Sequence, residues 1–398
     1  LAAPVRAQAP AAPQADDPVR TLVGRLDLER YKNTIKGLAR FGDRRQGTKR
    51  NRDAVDWIEA QLKSYGCSNV ERITYEYNPA PPAPRGGAGG GRGGRGAPAW
   101  AVPGKGWEGN GPGGSRIFSD AREAGVNNDS LRQPDPAIRA INAEPSSPGQ
   151  RQEVYCTKIG SKYPNEMYII GGHMDGIGWG QAVNDDASGS AIVMELARIF
   201  SMPDVQTERS IRFALWNNEE TGLNGARAYA EQRAPLQGKE SPAGSGKYPE
   251  PKWLGMIQHD MMMVDHGPPT ADGKLAPEQR AEADINIEFA ITSKFADDAM
   301  KMAFAWRLAN ERYATHYPAA VGPHMTNTDS DPFKDITPSI SLRENERGAQ
   351  IGGNWDPTHH QPTDVLTTFT DKDFMLGLTS AQTTLGAVGQ LTGAIVKK

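Results

Sequence analysis

Imidazole and carboxylate side chains recur along the chain in a fixed order: His173, Asp185, Glu219, Glu220, Asp260 and His360. The densest groups are Gly171-Gly172-His173-Met174-Asp175, Asn184-Asp185-Asp186-Ala187-Ser188-Gly189 and Asn218-Glu219-Glu220-Thr221-Gly222, each at or just beyond an apolar run. Nitrogen and oxygen donors of these types hold divalent cations, and a carboxylate beside such cations can move protons. Taken singly, the signals are weak. A lone histidine is usually a surface or core residue, a Glu-Glu pair is usually solvated, and Asp-Asp before a helix is usually a cap. Their joint occurrence in this order favours a two-metal hydrolytic centre. The remaining histidines, His259, His266, His316 and His324, take the structural reading, while His359 stays open as an alternative to its neighbour His360.

Positioning these groups falls to the apolar runs. Met167-Tyr168-Ile169-Ile170 and Ile211-Arg212-Phe213-Ala214-Leu215-Trp216 are short and rich in β-branched or aromatic residues, so they read as buried strands. Each is followed by a helical repeat, from Ala187 to Phe200 and from Gly222 to Gln232. Strand, polar turn and helix in alternation predict an α/β sheet with helices on its faces, whose ligands bind beyond the carboxyl ends of the strands. Leu26 to Phe41 and Asn51 to Tyr65 read as opening amphipathic helices, Val70 to Tyr77 and Val154 to Ile159 as the first two strands, and Asp371 to Leu391 as a closing helix.

Over roughly residues 30–77 and 150–395 these motifs resemble peptidase family M28, the co-catalytic zinc exopeptidases. The resemblance adds Asp260, from Ile257-Gln258-His259-Asp260-Met261, and His360, from His359-His360-Gln361-Pro362-Thr363-Asp364. It implies two Zn2+ ions, one on His173 and Asp260, the other on Glu220 and His360, with Asp185 between them and Glu219 as general base. It gives Asp175 the task of orienting the His173 ring, and it implies a cis peptide between Asp185 and Asp186. The fold implied is a mixed, mostly parallel sheet of about eight strands sandwiched by helices, of the zinc-dependent exopeptidase type.

The chemistry matches these residue types. Zinc accepts His nitrogen and carboxylate oxygen, and a catalytic site leaves a position for water. Two cations about 3.5–4 Å apart need a shared ligand, which a carboxylate with two oxygens supplies. A general base must then take the water's proton and return it to the leaving amine. Hydrolysis of peptides from the amino end is the favoured activity. Carboxypeptidase action within the same family is the alternative, with Arg343 and Arg347 as candidate anchors for a terminal carboxylate and Glu344 and Glu346 for an amine. Met261 and the Trp355 loop are pocket candidates by position. A peptidase fold serving assembly is the third reading, motivated by the insertions alone.

Composition bounds the rest. With 398 residues, 37% of them hydrophobic, the chain can bury a large core. Residues 1–25 are expected to be an exported tail and 26–395 a single domain, with 78–150 a Gly/Pro-rich insertion between the first two strands. Residues 235–252 and 267–283 read as smaller insertions. The insertion's arginines, Arg85, Arg92 and Arg95, are too few for a nucleic-acid surface in a chain of net charge -3 and pI near 6.2. Trp100 and Trp107, beyond them, are candidates to dock on the body. No run of about 20 apolar residues predicts a membrane span. Ala7 and Ala9 resemble the end of a signal peptide, which favours a secreted or periplasmic location. Cys67 and Cys156 permit one disulfide without requiring it. The oligomeric state is not legible.

Overall fold

The computed structural model describes residues 17–78, 130–131, 133–264, 285–323, 328–344, 356 and 358–397. Helix α2 (Leu28–Ala39) begins at the Asp27 cap and turns Tyr31, Ile35 and Leu38 inward, one helical face. Helix α3 (Lys49–Ser64) starts at Thr48, whose hydroxyl accepts from Asn51, and buries Ala54, Val55, Ile58 and Leu62. After β1 (Glu71–Tyr77) comes the short α4 (Pro136–Ile141), then β2 (Gly149–Lys158) and β3 (Tyr163–His173). Helix α5 (Gly189–Phe200) is apolar around most of its circumference and buried along nearly all its length. It can be so because it lies between the sheet and an outer layer formed by α2, α3 and α8 (Asp371–Leu391).

The main sheet has eight strands in the order β1-β2-β5-β3-β6-β9-β7-β8, adding β5 (Arg209–Trp216), β6 (Lys252–His259), β7 (Ile285–Phe289), β8 (Ala319–Gly322) and β9 (Ser339–Glu344). Strands β5, β3, β6 and β9 run parallel at its centre, and antiparallel pairs flank them. A small ribbon pairs β4 (Val205–Gln206) with β10 (Ile395–Val396). The expected mixed, mostly parallel sheet of about eight strands is therefore present. One face is covered by α2, α3, α5, α8 and α7 (Ala296–Tyr313), the other by α6 (Asn224–Arg233) and an aromatic layer of Trp216, Tyr229, Trp253 and Phe333. No helix among the described residues is long and apolar enough to cross a membrane.

Boundaries differ from the sequence reading in informative places. The tail expected to run to residue 25 is already helical at α1 (Pro18–Val23), where Asp17 caps the first turn and Val19, Leu22 and Val23 are buried. The insertion expected over 78–150 ends in ordered structure, since α4 and the start of β2 lie within it. The stretch 235–252 is anchored by Glu250, which is fully buried. Cys67 and Cys156 form the optional disulfide. Expectations about Arg85, Arg92, Arg95, Trp100, Trp107, His266, His324, Glu346, Arg347, Trp355 and residues 267–283 fall outside the described residues.

Candidate metal centre

At the carboxyl ends of the central parallel strands, the six singled-out side chains converge. His173 is the last residue of β3, Glu219 and Glu220 follow β5, Asp260 follows β6, and Asp185 lies in the turn Val183–Ser188 before α5. The Asp185–Asp186 peptide is cis, as the resemblance implied. One Asp185 oxygen lies 3.2 Å from His173 Nε2 and the other 3.0 Å from His360 Nε2. His173 Nε2 also faces Asp260 Oδ1 at 3.7 Å, and His360 Nε2 faces Glu220 Oε2 at 2.8 Å. The donors thus form two groups that meet at Asp185. His359 stacks on His360 with ring centroids 3.8 Å apart and sits 3.6 Å from Asp185 Oδ2, farther than its neighbour. His316 is exposed, and His259 is buried with its ring between the Gly171 carbonyl and Thr384.

Backbone groups fix these loops. Asp364 accepts three N–H groups in a row, from Val183, Asn184 and Asp185, at 2.9, 2.8 and 3.2 Å, so the His360 segment and the Asp185 turn are fastened together. Asp186 bonds to the backbone of the converging segments. Its carboxylate accepts from His173 N, Gly189 N and Met261 N, joining three of the converging segments. A Cβ on Gly189 would lie 2.3 Å from the His259 carbonyl oxygen, so only glycine lets α5 start this close to β6. Buried Arg44 donates to the carbonyls of Gly42, Met174, Gln181 and Ala182, tying the amino-end loop to the segments after His173 and before Asp185.

Asp175 acts differently from the expectation. The His173 Nδ1 partner is the Asp175 main-chain carbonyl, at 2.9 Å, whereas the nearest Asp175 carboxylate oxygen is 3.9 Å away. That carboxylate instead accepts the Glu219 N–H at 3.0 Å, so it positions the glutamate pair rather than the ring. The strand ends at His173, and the Asp175 carbonyl, not its carboxylate, reaches the imidazole. The outcome for the ring is the same. A carbonyl can only accept, so Nδ1 carries the proton and Nε2 turns a lone pair toward Asp185 and Asp260.

A lone pair facing carboxylates is repulsive unless a proton or a cation lies between them. Electrostatics carries the same message. Burial alone would push the His173 imidazole down, but Asp186, Asp185 and Asp260 hold it well above its usual value. Burial likewise opposes a charge on His360, and Glu220 and Asp185 raise it to about 10. Glu219 is pushed well above the usual carboxylate range by burial and by the charges of Glu220, Asp329 and Asp260. Asp260 Oδ1 and Glu220 Oε1 are buried and accept no hydrogen bond from the described residues. The donor sets His173-Asp185-Asp260 and His173-Glu219-Glu220 each offer atoms within 4.8 Å of one another, as does Asp185-His359-His360. Imidazole nitrogens, carboxylate oxygens and excess negative charge in one buried place fit divalent cations of the zinc type.

The proposed specificity groups are otherwise engaged. Arg343 pairs with Asp260 Oδ2 at 3.0 Å, and Glu344 is buried against Asn184 and the N–H groups of Met263 and Val264. Met261, the expected pocket residue, is fully buried, with its sulfur 3.6 Å from Arg343. Sequence reading missed Arg44, Gln133 and Asp329. Asp329 is fully buried near the cluster, and one of its oxygens has no hydrogen-bond partner. Its local sequence, Thr328-Asp329-Ser330, looks like any polar turn.

Comparison with known proteins gives the arrangement a context. The sequence profile of peptidase family M28 matches residues 154–375, over half of the chain. Leupeptin-inactivating enzyme 1 of Streptomyces exfoliatus is 36% identical over 80 residues, 19% of this chain and 18% of that protein. Carboxypeptidase Q of Xenopus laevis is 37% identical over 73 residues, 18% of this chain and 16% of that protein. The matched segments thus span under a fifth of these relatives' length. A zinc aminopeptidase from Bacillus subtilis shares the fold at a TM-score of 0.58 and 14% identity, covering 94% of this chain and 96% of its own.

Proposed function

This chain belongs to peptidase family M28, and from that premise we propose that it is an exopeptidase that removes amino-terminal residues from peptides with a pair of zinc ions. His173 and Asp260 hold one ion in this reading, Glu220 and His360 the other, and Asp185 lies between them. The observation that carries it is the orientation of Asp185, whose two oxygens face two different imidazoles at 3.2 and 3.0 Å. When bound, such a pair supplies Lewis acidity, lowering the pKa of a shared water toward about 7 and polarising the scissile carbonyl.

The chain's own residues do the remainder. Glu219 takes the proton of the attacking water and delivers it to the leaving amine. Asp175 keeps Glu219 in reach by accepting its N–H, and the Asp175 carbonyl keeps Nε2 of His173 available as a donor. Arg343 offsets the charge of Asp260. Carboxypeptidase action, suggested by the names of several relatives, finds one of its two candidate cations, Arg343, already paired, while Arg347 lies outside the described residues. The same reading takes the chain from α1 onward as one catalytic domain. It also takes the chain as exported, supported by the Cys67–Cys156 bridge, since disulfides persist in oxidising compartments.

The test is a panel of dipeptides blocked at one end or the other, assayed before and after chelation with metal content measured alongside. About two zincs per chain, loss of activity with chelator and cleavage confined to free-amine substrates are expected. Turnover of amine-blocked substrates overturns the aminopeptidase assignment, and turnover without metal overturns the mechanism.

A further inference from the structure

We infer that Gln133, in the insertion between β1 and β2, is a positioning residue that fixes His360 by clipping its loop to the loop preceding Asp185; this rests on the two-zinc reading above. The Gln133 side chain is 3% exposed, and its Nε2 donates to the carbonyls of Trp179 and Pro362, both at 3.0 Å. Trp179 belongs to the run leading into Asp185, and Pro362 stands two residues beyond His360. One primary amide nitrogen carries two neutral N–H donors, enough for one carbonyl on each loop without bringing a charge. The Gln133 Oε1 accepts the Asp135 N–H at 3.2 Å, which sets the amide with its donors toward the loops.

Neighbouring contacts make the clip specific. Asn142, fully buried, donates to the Gly180 carbonyl at 2.8 Å and accepts the Asp43 N–H at 3.1 Å, holding the same loop from its other side. The two clipped loops touch so closely that a Cβ on Gly178, at φ +98, would lie 2.4 Å from the His360 carbonyl carbon. No side chain fits at this crossing; the loops also bond directly, Gln181 N donating to the Asp364 carbonyl at 2.7 Å, and Gln133 adds a second tie on the Trp179 side. His360 itself adopts φ 54, a left-handed conformation that a non-glycine residue leaves unless its surroundings hold it. Gln133 fastens the His360 segment two residues beyond the histidine and Asp364 fastens it four residues beyond.

Loosening the clip should therefore weaken the ion held by His360 and Glu220 and spare the ion held by His173 and Asp260. Supporting interactions of this sort change metal affinity by about 10- to 100-fold. The experiment uses the full chain stripped of metal, with zinc binding followed by calorimetry and Co2+ binding by visible absorption. Gln133→Met keeps the length and removes both donors; Gln133→Glu keeps the shape and turns an acceptor toward the carbonyls. Expected for both is one of two binding events weakened about 10- to 100-fold, more in Gln133→Glu, with the other event near wild type; the apo thermal midpoint stays closest to wild type in Gln133→Met and falls further in Gln133→Glu, whose carboxylate is buried. Unchanged binding, equal weakening of both events, or unfolding of both variants would overturn the inference. Fewer than two binding events in the wild type would instead overturn the two-zinc reading.

Discussion

Buried charge is handled in opposite ways on two sides of this sheet. On the α6 face, Arg212 and Glu250 are both buried and pair directly. Tyr229 donates to Glu250 at 3.0 Å, Arg212 Nε donates to Thr157 at 3.0 Å, and the guanidinium lies 4.4 Å from the Tyr155 ring centroid. At the strand ends, Asp185, Glu220, Asp260 and Glu219 face one another with two imidazoles among them, and one oxygen each of Glu220 and Asp260 has no hydrogen-bond partner among the described residues. Paired charges hold an insertion to the body. Opposed charges are an arrangement that folding alone would not favour, and they mark where a cation and a reaction belong.

This contrast predicts that substitutions on the two sides have opposite signatures. The largest effect is expected at Glu219→Gln, which removes the proton carrier. Turnover should fall by about 100- to 10,000-fold, while zinc content is kept and thermal stability is equal or slightly higher, as measured by steady-state kinetics and calorimetry. Near-normal turnover in this variant would break the assignment. Glu250→Ala should do the reverse. It leaves Arg212 buried and uncompensated, so about 3–5 kcal/mol of stability is lost in urea unfolding while kcat of the folded fraction is unchanged. Replacing Cys67 and Cys156 by serine should cost about 2–4 kcal/mol by releasing the unfolded chain, again without a kinetic effect.

Glu153→Gln sharpens the comparison and is the mildest change. Burial pushes the Glu153 carboxyl well above its usual value, so the native protein keeps a proton that the unfolded chain releases near pH 4.3. Wild-type stability therefore declines as pH rises past that point, until the native group also ionises. Glutamine cannot ionise, so the variant should match wild type below about pH 4 and exceed it increasingly above, read from urea midpoints across pH. A variant less stable than wild type at neutral pH would mean that Glu153 works as a charge.

Much of this was legible in the chain because carboxylates and imidazoles collect where the apolar runs of the central strands end. His173, Asp185, Glu219 and Glu220 stand at such interruptions, and the helices behind them show their period. Helix α1 was legible in principle, since Asp17-Pro18 is a cap followed by a favoured first residue. Arg44 and Gln133 were not. Long polar side chains are usually exposed, and their burial depends on carbonyls contributed by segments more than a hundred residues away in the case of Arg44. The Asp175 expectation named the right residue but the wrong group, because sequence cannot tell a residue's carbonyl from its carboxylate as the partner of a nearby ring. Arg343 and Glu344 looked like substrate anchors because sequence cannot tell which neighbours reach a charge first.

The three amides gathered by Asp364 bear on how such a molecule could be re-engineered. Because they belong to the turn that carries Asp185, the His360 segment is no separable module. A graft that exchanged residues 358–364 for those of a relative would import a carboxylate shaped to someone else's turn. Successful chimeras should move both segments together, as one cassette broken across the sequence.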